Sequence, residues 1–63
     1  QYEKIILDKS YYKQATNGMT MKIDLEKNFD ELIRVYVEDL FIGLGEYKNK
    51  NKTLKLKKVF YEG

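Results

Sequence analysis

Asn28 to Gly45 reads NFDELIRVYVEDLFIGLG, and the reading of this run decides the fold. Phe29, Leu32, Ile33, Tyr36, Val37, Leu40, Phe41 and Leu44 recur at the i, i+3, i+4, i+7 spacing that lines one face of an α-helix. Asn28 suits an N-cap and Glu31 completes a capping-box spacing. Asp30 and Glu31 would sit where the positive end of a helix dipole favours acids. Gly43 and Gly45 weaken the last turn, with Gly45 as the left-handed stop. The spacing predicts a helix from Phe29 to about Leu44, and its apolar stripe must be buried against other elements.

Those elements are sought on both sides. Before the run, SYYKQAT, then Asn17 and Gly18, then MTMKIDL predict a β-hairpin, because Asn-Gly accepts the positive φ of a type I′ turn. In that register Tyr12, Met19, Met21, Ile23 and Leu25 share one face, while Thr20, Lys22, Asp24 and Glu26 take the other. Ile5, Ile6 and Leu7 form a short β-favouring run ahead of Asp8, Lys9 and Ser10. A helix from Tyr2 to Thr16, stopped by Asn17 and Gly18, is the competing reading of the first sixteen residues.

After the run, Leu54 and Leu56 alternate with Thr53, Lys55 and Lys57 as in a strand. The phase slips where Lys57 and Lys58 adjoin, which places a bulge or strand end near Lys58. Glu46, Tyr47 and Lys48 pairing with Thr53 to Leu56 would make a second hairpin. The expected fold class is α+β: an antiparallel sheet of three to five strands, in ββαββ or βββαβ order, with one amphipathic helix packed across it. Residues 1–63 read as a single small α+β domain. This order of elements, with Asn17, Gly18, Gly45, Glu46 and Tyr47, is similar in layout to the β-grasp immunoglobulin-binding domains of bacterial surface proteins. The resemblance implies that layout and no binding residue.

Composition narrows the chemistry. A chain of 63 residues buries only about 60% of its unfolded surface, so its core is thin. It has no Cys and no His, which removes disulfide staples, the usual zinc sites and the common nucleophile and base pairs. At 43% hydrophobic and 35% charged it is neither disordered by composition nor membrane-like, and no run approaches the ~18 apolar residues of a spanning helix. No targeting segment is visible, and the compartment stays open. On a helix, Asp30 with Glu31 and Glu38 with Asp39 point about 100° apart and read as a solvated face. Gly43 and Gly45 end the expected helix, the wrong polarity for a phosphate cradle. No enzyme activity, metal, cofactor or small-molecule substrate is expected.

The formal net charge is only +2, yet it is unevenly spread. Asp24, Glu26, Asp30, Glu31, Glu38, Asp39 and Glu46 crowd the middle, whereas Tyr47 to Tyr61 holds Lys48, Lys50, Lys52, Lys55, Lys57 and Lys58 with no acid. The expected function is non-catalytic binding through protein-protein contact, either self-association or a protein partner. Val35 and Ile42 widen the helix face beyond what one thin sheet covers, and Tyr11 with Lys13 lies on the open side of the first hairpin. The alternative is nucleic-acid binding by segment 48–58, with Lys48, Lys50, Lys52, Lys55 and Lys57 tracking phosphates and Tyr47 or Tyr61 stacking on a base. Lysine on a strand also keeps an exposed edge from pairing with other chains.

Overall fold

The computed structural model describes residues 2–61. In chain order it contains β1 (Lys4–Leu7), a 3-10 turn (Lys9–Tyr11) continuous with helix α1 (Tyr12–Thr16), β2 (Thr20–Lys22), β3 (Ile33–Val37), β4 (Leu40–Lys48) and β5 (Thr53–Val59). The α+β class holds, with one helix of eight residues beside five strands. The sheet is mixed rather than antiparallel, because β1 runs parallel to β3. Its order is β1-β3-β4-β5-β2, and it curls strongly into a half-barrel.

The run from Asn28 to Gly45 holds no helix; most of it is the β3–β4 hairpin. Ile33, Val35 and Val37 are buried and alternate with half-buried Arg34 and Tyr36, the period of a strand. Three β-branched residues in five favour that state. Val37 pairs with Leu40 around a two-residue turn in which Glu38 takes φ 57°. The helix belongs instead to Lys9–Thr16, close to the end of the competing reading. Asp8 caps it by accepting a hydrogen bond from the Ser10 backbone N–H at 2.9 Å, and that bond holds its carboxyl below the usual carboxylate range.

Asn17 and Gly18 end this helix and do not turn a hairpin. Gly18 adopts φ 69°, its N–H donates to the Ala15 carbonyl, and the Met19 N–H donates to the Gln14 carbonyl at 2.9 Å. That pair of bonds is a Schellman stop, which satisfies carbonyls the helix end would otherwise orphan. The β-grasp layout is therefore not the one adopted. Its helix would follow the first hairpin, whereas α1 precedes β2, and β2 pairs with β5.

The second hairpin forms as expected. Glu46 pairs with Lys55, Tyr47 with Leu54 and Lys48 with Thr53. The phase slip is a bulge: Gly45 pairs with Leu56 and Leu44 with Lys58, so Lys57 is the extra residue. A matching irregularity on β4 makes Ile42 extra between Tyr36↔Phe41 and Val35↔Gly43. At this point β4 and β5 lie too close for any side chain at position 43, where a Cβ would be 2.0 Å from the Lys58 carbonyl oxygen.

The core fills the inner side of the curl. It comprises Leu7, Ala15, Met21, Ile33, Val35, Val37, Ile42, Tyr47, Leu54 and Leu56, and α1 closes it against β2 and β5. Tyr11, Tyr12, Phe29 and Tyr61 pack around its rim, with Tyr12 and Tyr61 edge to face and sharing a 3.1 Å hydroxyl hydrogen bond. The β2–β3 connection is held from within by Tyr47. Its hydroxyl donates to the Ile23 carbonyl at 2.8 Å and accepts from the Leu25 N–H at 3.1 Å, while Phe29 meets its ring edge on.

Candidate functional site

Alternation sends every second strand residue to the side away from the core. On β1 these are Lys4 and Ile6, and on β3 they are Arg34 and Tyr36. On β4 they are Phe41, Leu44, Glu46 and Lys48, and on β2 they are Thr20 and Lys22. Strand β5 supplies Thr53 and Lys55, then both Lys57 and Lys58 because the bulge turns neighbouring side chains the same way. The outer face thus gathers seven cations, Lys4, Lys22, Arg34, Lys48, Lys55, Lys57 and Lys58, against the single carboxylate of Glu46, which Lys57 meets at 3.7 Å.

Acids collect elsewhere. Asp24, Glu26, Asp30 and Glu31 lie on the β2–β3 connection, and Glu38 and Asp39 form the β3–β4 turn. Cations on that side are matched: Lys27 pairs with Glu3, and Lys52 lies 3.4 Å from Asp24. A small net charge therefore conceals a basic set of outward strand positions and acids gathered in the connections at the two ends of β3. Among the described residues no three acidic side chains gather as a metal site, and no helix is long and apolar enough to cross a membrane.

The outer face has two zones. Near β2, a shallow depression is lined by Thr20, Glu46, Lys48, Asn51, Thr53, Lys55 and Lys57. Toward β1 lies a row of apolar side chains one step along the strands from Lys4, Arg34 and Lys58. Ile6 is 60% exposed there, Tyr36 and Phe41 have ring centroids 5.3 Å apart, and Phe41 and Phe60 lie 5.9 Å apart with planes only 18° from parallel. The Lys4 ammonium sits 5.3 Å from the Tyr36 ring centre, a cation–π contact that covers that ring.

The residues expected from sequence scatter over the fold. Lys48, Lys55 and Lys57 converge on the outer face, as the Lys-rich strand implied. Lys50 and Lys52 fall on the β4–β5 turn, where Lys52 is engaged by Asn49 and Asp24. Tyr11 packs on the core and Lys13 is exposed on the helix, on the side of the sheet away from the lysine face. Val35 and Ile42 have no exposed surface at all and Tyr47 is buried, so none of the three offers a partner a contact; the widened helix face dissolves with the helix. Tyr61, the other expected stacking ring, pairs with Tyr12 on the core side. Sequence reasoning missed Lys4, Lys22, Arg34, Tyr36, Phe41 and Phe60, whereas Lys58 fell within the expected basic segment 48–58. The period-2 pattern of Ile33 to Val37 was the signal that would have turned Arg34 and Tyr36 outward. The chain matches no family model, no curated protein and no solved structure.

Proposed function

We propose that the outer sheet face is a non-catalytic surface that binds the phosphate backbone of a nucleic acid. The observation that supports this reading is the segregation of charge: seven cations and one carboxylate share the outward strand positions, while the other acids of the middle segment lie off the strands, on the β2–β3 connection and in the β3–β4 turn. A polyanion meeting such a face gains from every lysine at once and releases counterions, whereas isolated surface lysines gain little. A second copy of the chain is a poor occupant, because a two-fold contact would press like charges together. A protein partner is the competing occupant. Protein interfaces favour aromatic residues and Arg but are depleted in Lys, and this face has six Lys and one Arg among its cations.

The test is fluorescence anisotropy with a random-sequence oligonucleotide. Log affinity is expected to fall linearly with log salt, by about 0.7–0.9 for each phosphate contacted. Lys55→Gln, Lys57→Gln and Lys58→Gln together should lower affinity at least tenfold and leave the melting temperature unchanged. Lys9→Gln with Lys13→Gln, on the helix side, should change neither. Absence of binding at about 50 mM salt, where such contacts are strongest, contradicts the reading. Equal losses from the two sets of changes would contradict it as well.

A further inference from the structure

We infer that the nucleic acid this face takes is single-stranded, with exposed bases laid on the Phe41 and Phe60 rings while the neighbouring lysines hold its phosphates; the inference rests on the binding reading above. The two bulges are the first observation behind it. Strict alternation from Leu54 and Leu56 would turn Phe60 inward. The extra residue at Lys57 reverses the phase, sends Val59 toward Gly18 on the helix side, and brings Phe60 out beside Phe41. Bulges re-aim side chains, and this one converts an inward ring into a ring 55% exposed. Phe60 is held there by its backbone, whose N–H donates to the Ile42 carbonyl at 2.8 Å.

The second observation is the geometry of the pair. Their planes are 18° apart, so a flat aromatic group laid on one ring is nearly parallel to the other. Tyr36 is already covered by Lys4, and Phe41, 38% exposed, lies between Tyr36 and Phe60, so Phe60 at 55% offers the most open ring face and Phe41 backs it. Charge complementarity fixes the occupant. Lys58 lies two residues before Phe60, about 7 Å along an extended strand, and shares its face, so a ligand resting on the rings has anionic groups within reach of lysine. A duplex hides its base faces in its own stack and presents only phosphates. A single strand offers both a π-face and a phosphate at each step, which is the pairing of aromatic platform and basic track that such ligands use.

The experiment compares three probes of equal length on the intact chain: a thymidine decamer, the same decamer without bases, and a duplex. The thymidine decamer is expected to bind about tenfold or more tighter than the abasic one, since stacking on an aromatic contributes roughly fivefold or more per base and the face offers two rings. Phe41→Ala with Phe60→Ala should erase the difference while leaving abasic affinity unchanged, and Phe60→Tyr should preserve it. Phe60→Ala alone, at a 55% exposed position, serves where the double change unfolds the chain. Equal binding of base-bearing and abasic decamers, or tighter binding of the duplex, overturns the inference while leaving the backbone-binding reading intact. Binding of none of the three removes both.

Discussion

The two faces of the sheet are built from alternate residues of the same five strands, yet they do opposite things. Inward, Ile33, Val35, Val37, Ile42 and Leu54 are at most 1% exposed and make the core. Outward, Lys55, Lys57 and Lys58 stand in water beside half-exposed rings. One face uses up the apolar residues that a chain this short can spare for stability, and the other leaves Ile6, Phe41 and Phe60 unburied. In a small domain with a thin core, apolar surface left out in a basic field is conspicuous. Along a single strand the residues that make the core and those of the proposed binding face alternate, so on that proposal stability and binding would be separable residue by residue.

The largest effect that would sharpen this separation lies where the strands touch. Gly43→Ala puts a Cβ against the Lys58 carbonyl, so β4 and β5 must part at the paired bulges. Overpacking of this kind costs about 3 kcal/mol, a large share of the roughly 3–9 kcal/mol expected for a chain of this length. Urea unfolding should show the loss, and a variant as stable as the parent would mean that the bulge geometry is wrong.

A smaller effect is expected inside the fold at Tyr47→Phe. The ring still fills the core, but the Ile23 carbonyl and Leu25 N–H lose their shared partner, at a cost of about 1–3 kcal/mol. Faster hydrogen exchange at Leu25 would report it; unchanged exchange would deny Tyr47 its role in pinning the β2–β3 connection. The smallest effect belongs outside: Lys55→Gln should leave the denaturation midpoint within error, since exposed positions away from caps and cores shift stability by about 0.5 kcal/mol at most. A clear destabilisation there would break the separation of the two faces.

How much of this was legible in the sequence follows from the same alternation. Strand β5, its pairing with Glu46 to Lys48 and its phase slip could be read, because Leu and Lys at strict period 2 fit no helix. The segment from Ile33 to Lys48 could be misread because its apolar positions satisfy both periods, and the turn that divides it has no glycine or asparagine at the position where Glu38 takes φ 57°. Asn17 and Gly18 were ambiguous in kind: the freedom that suits a hairpin turn also suits a helix stop. Lys48, Lys55 and Lys57 of the candidate face were visible as a basic strand. Lys4, Arg34 and Phe41 were not, because only the order β1-β3-β4-β5 brings them beside it, and Phe60 needed the bulge.

The most direct test of the account is a residue-resolved titration of the labelled chain with the thymidine decamer, followed by amide chemical shifts at low salt. Shifts are expected to concentrate on Lys55 to Phe60 and Phe41 to Leu44, with Asp24 to Glu31 and the helix from Lys9 to Thr16 unmoved. Shifts centred on the acidic connection or on the helix, with the outer face silent, would contradict it.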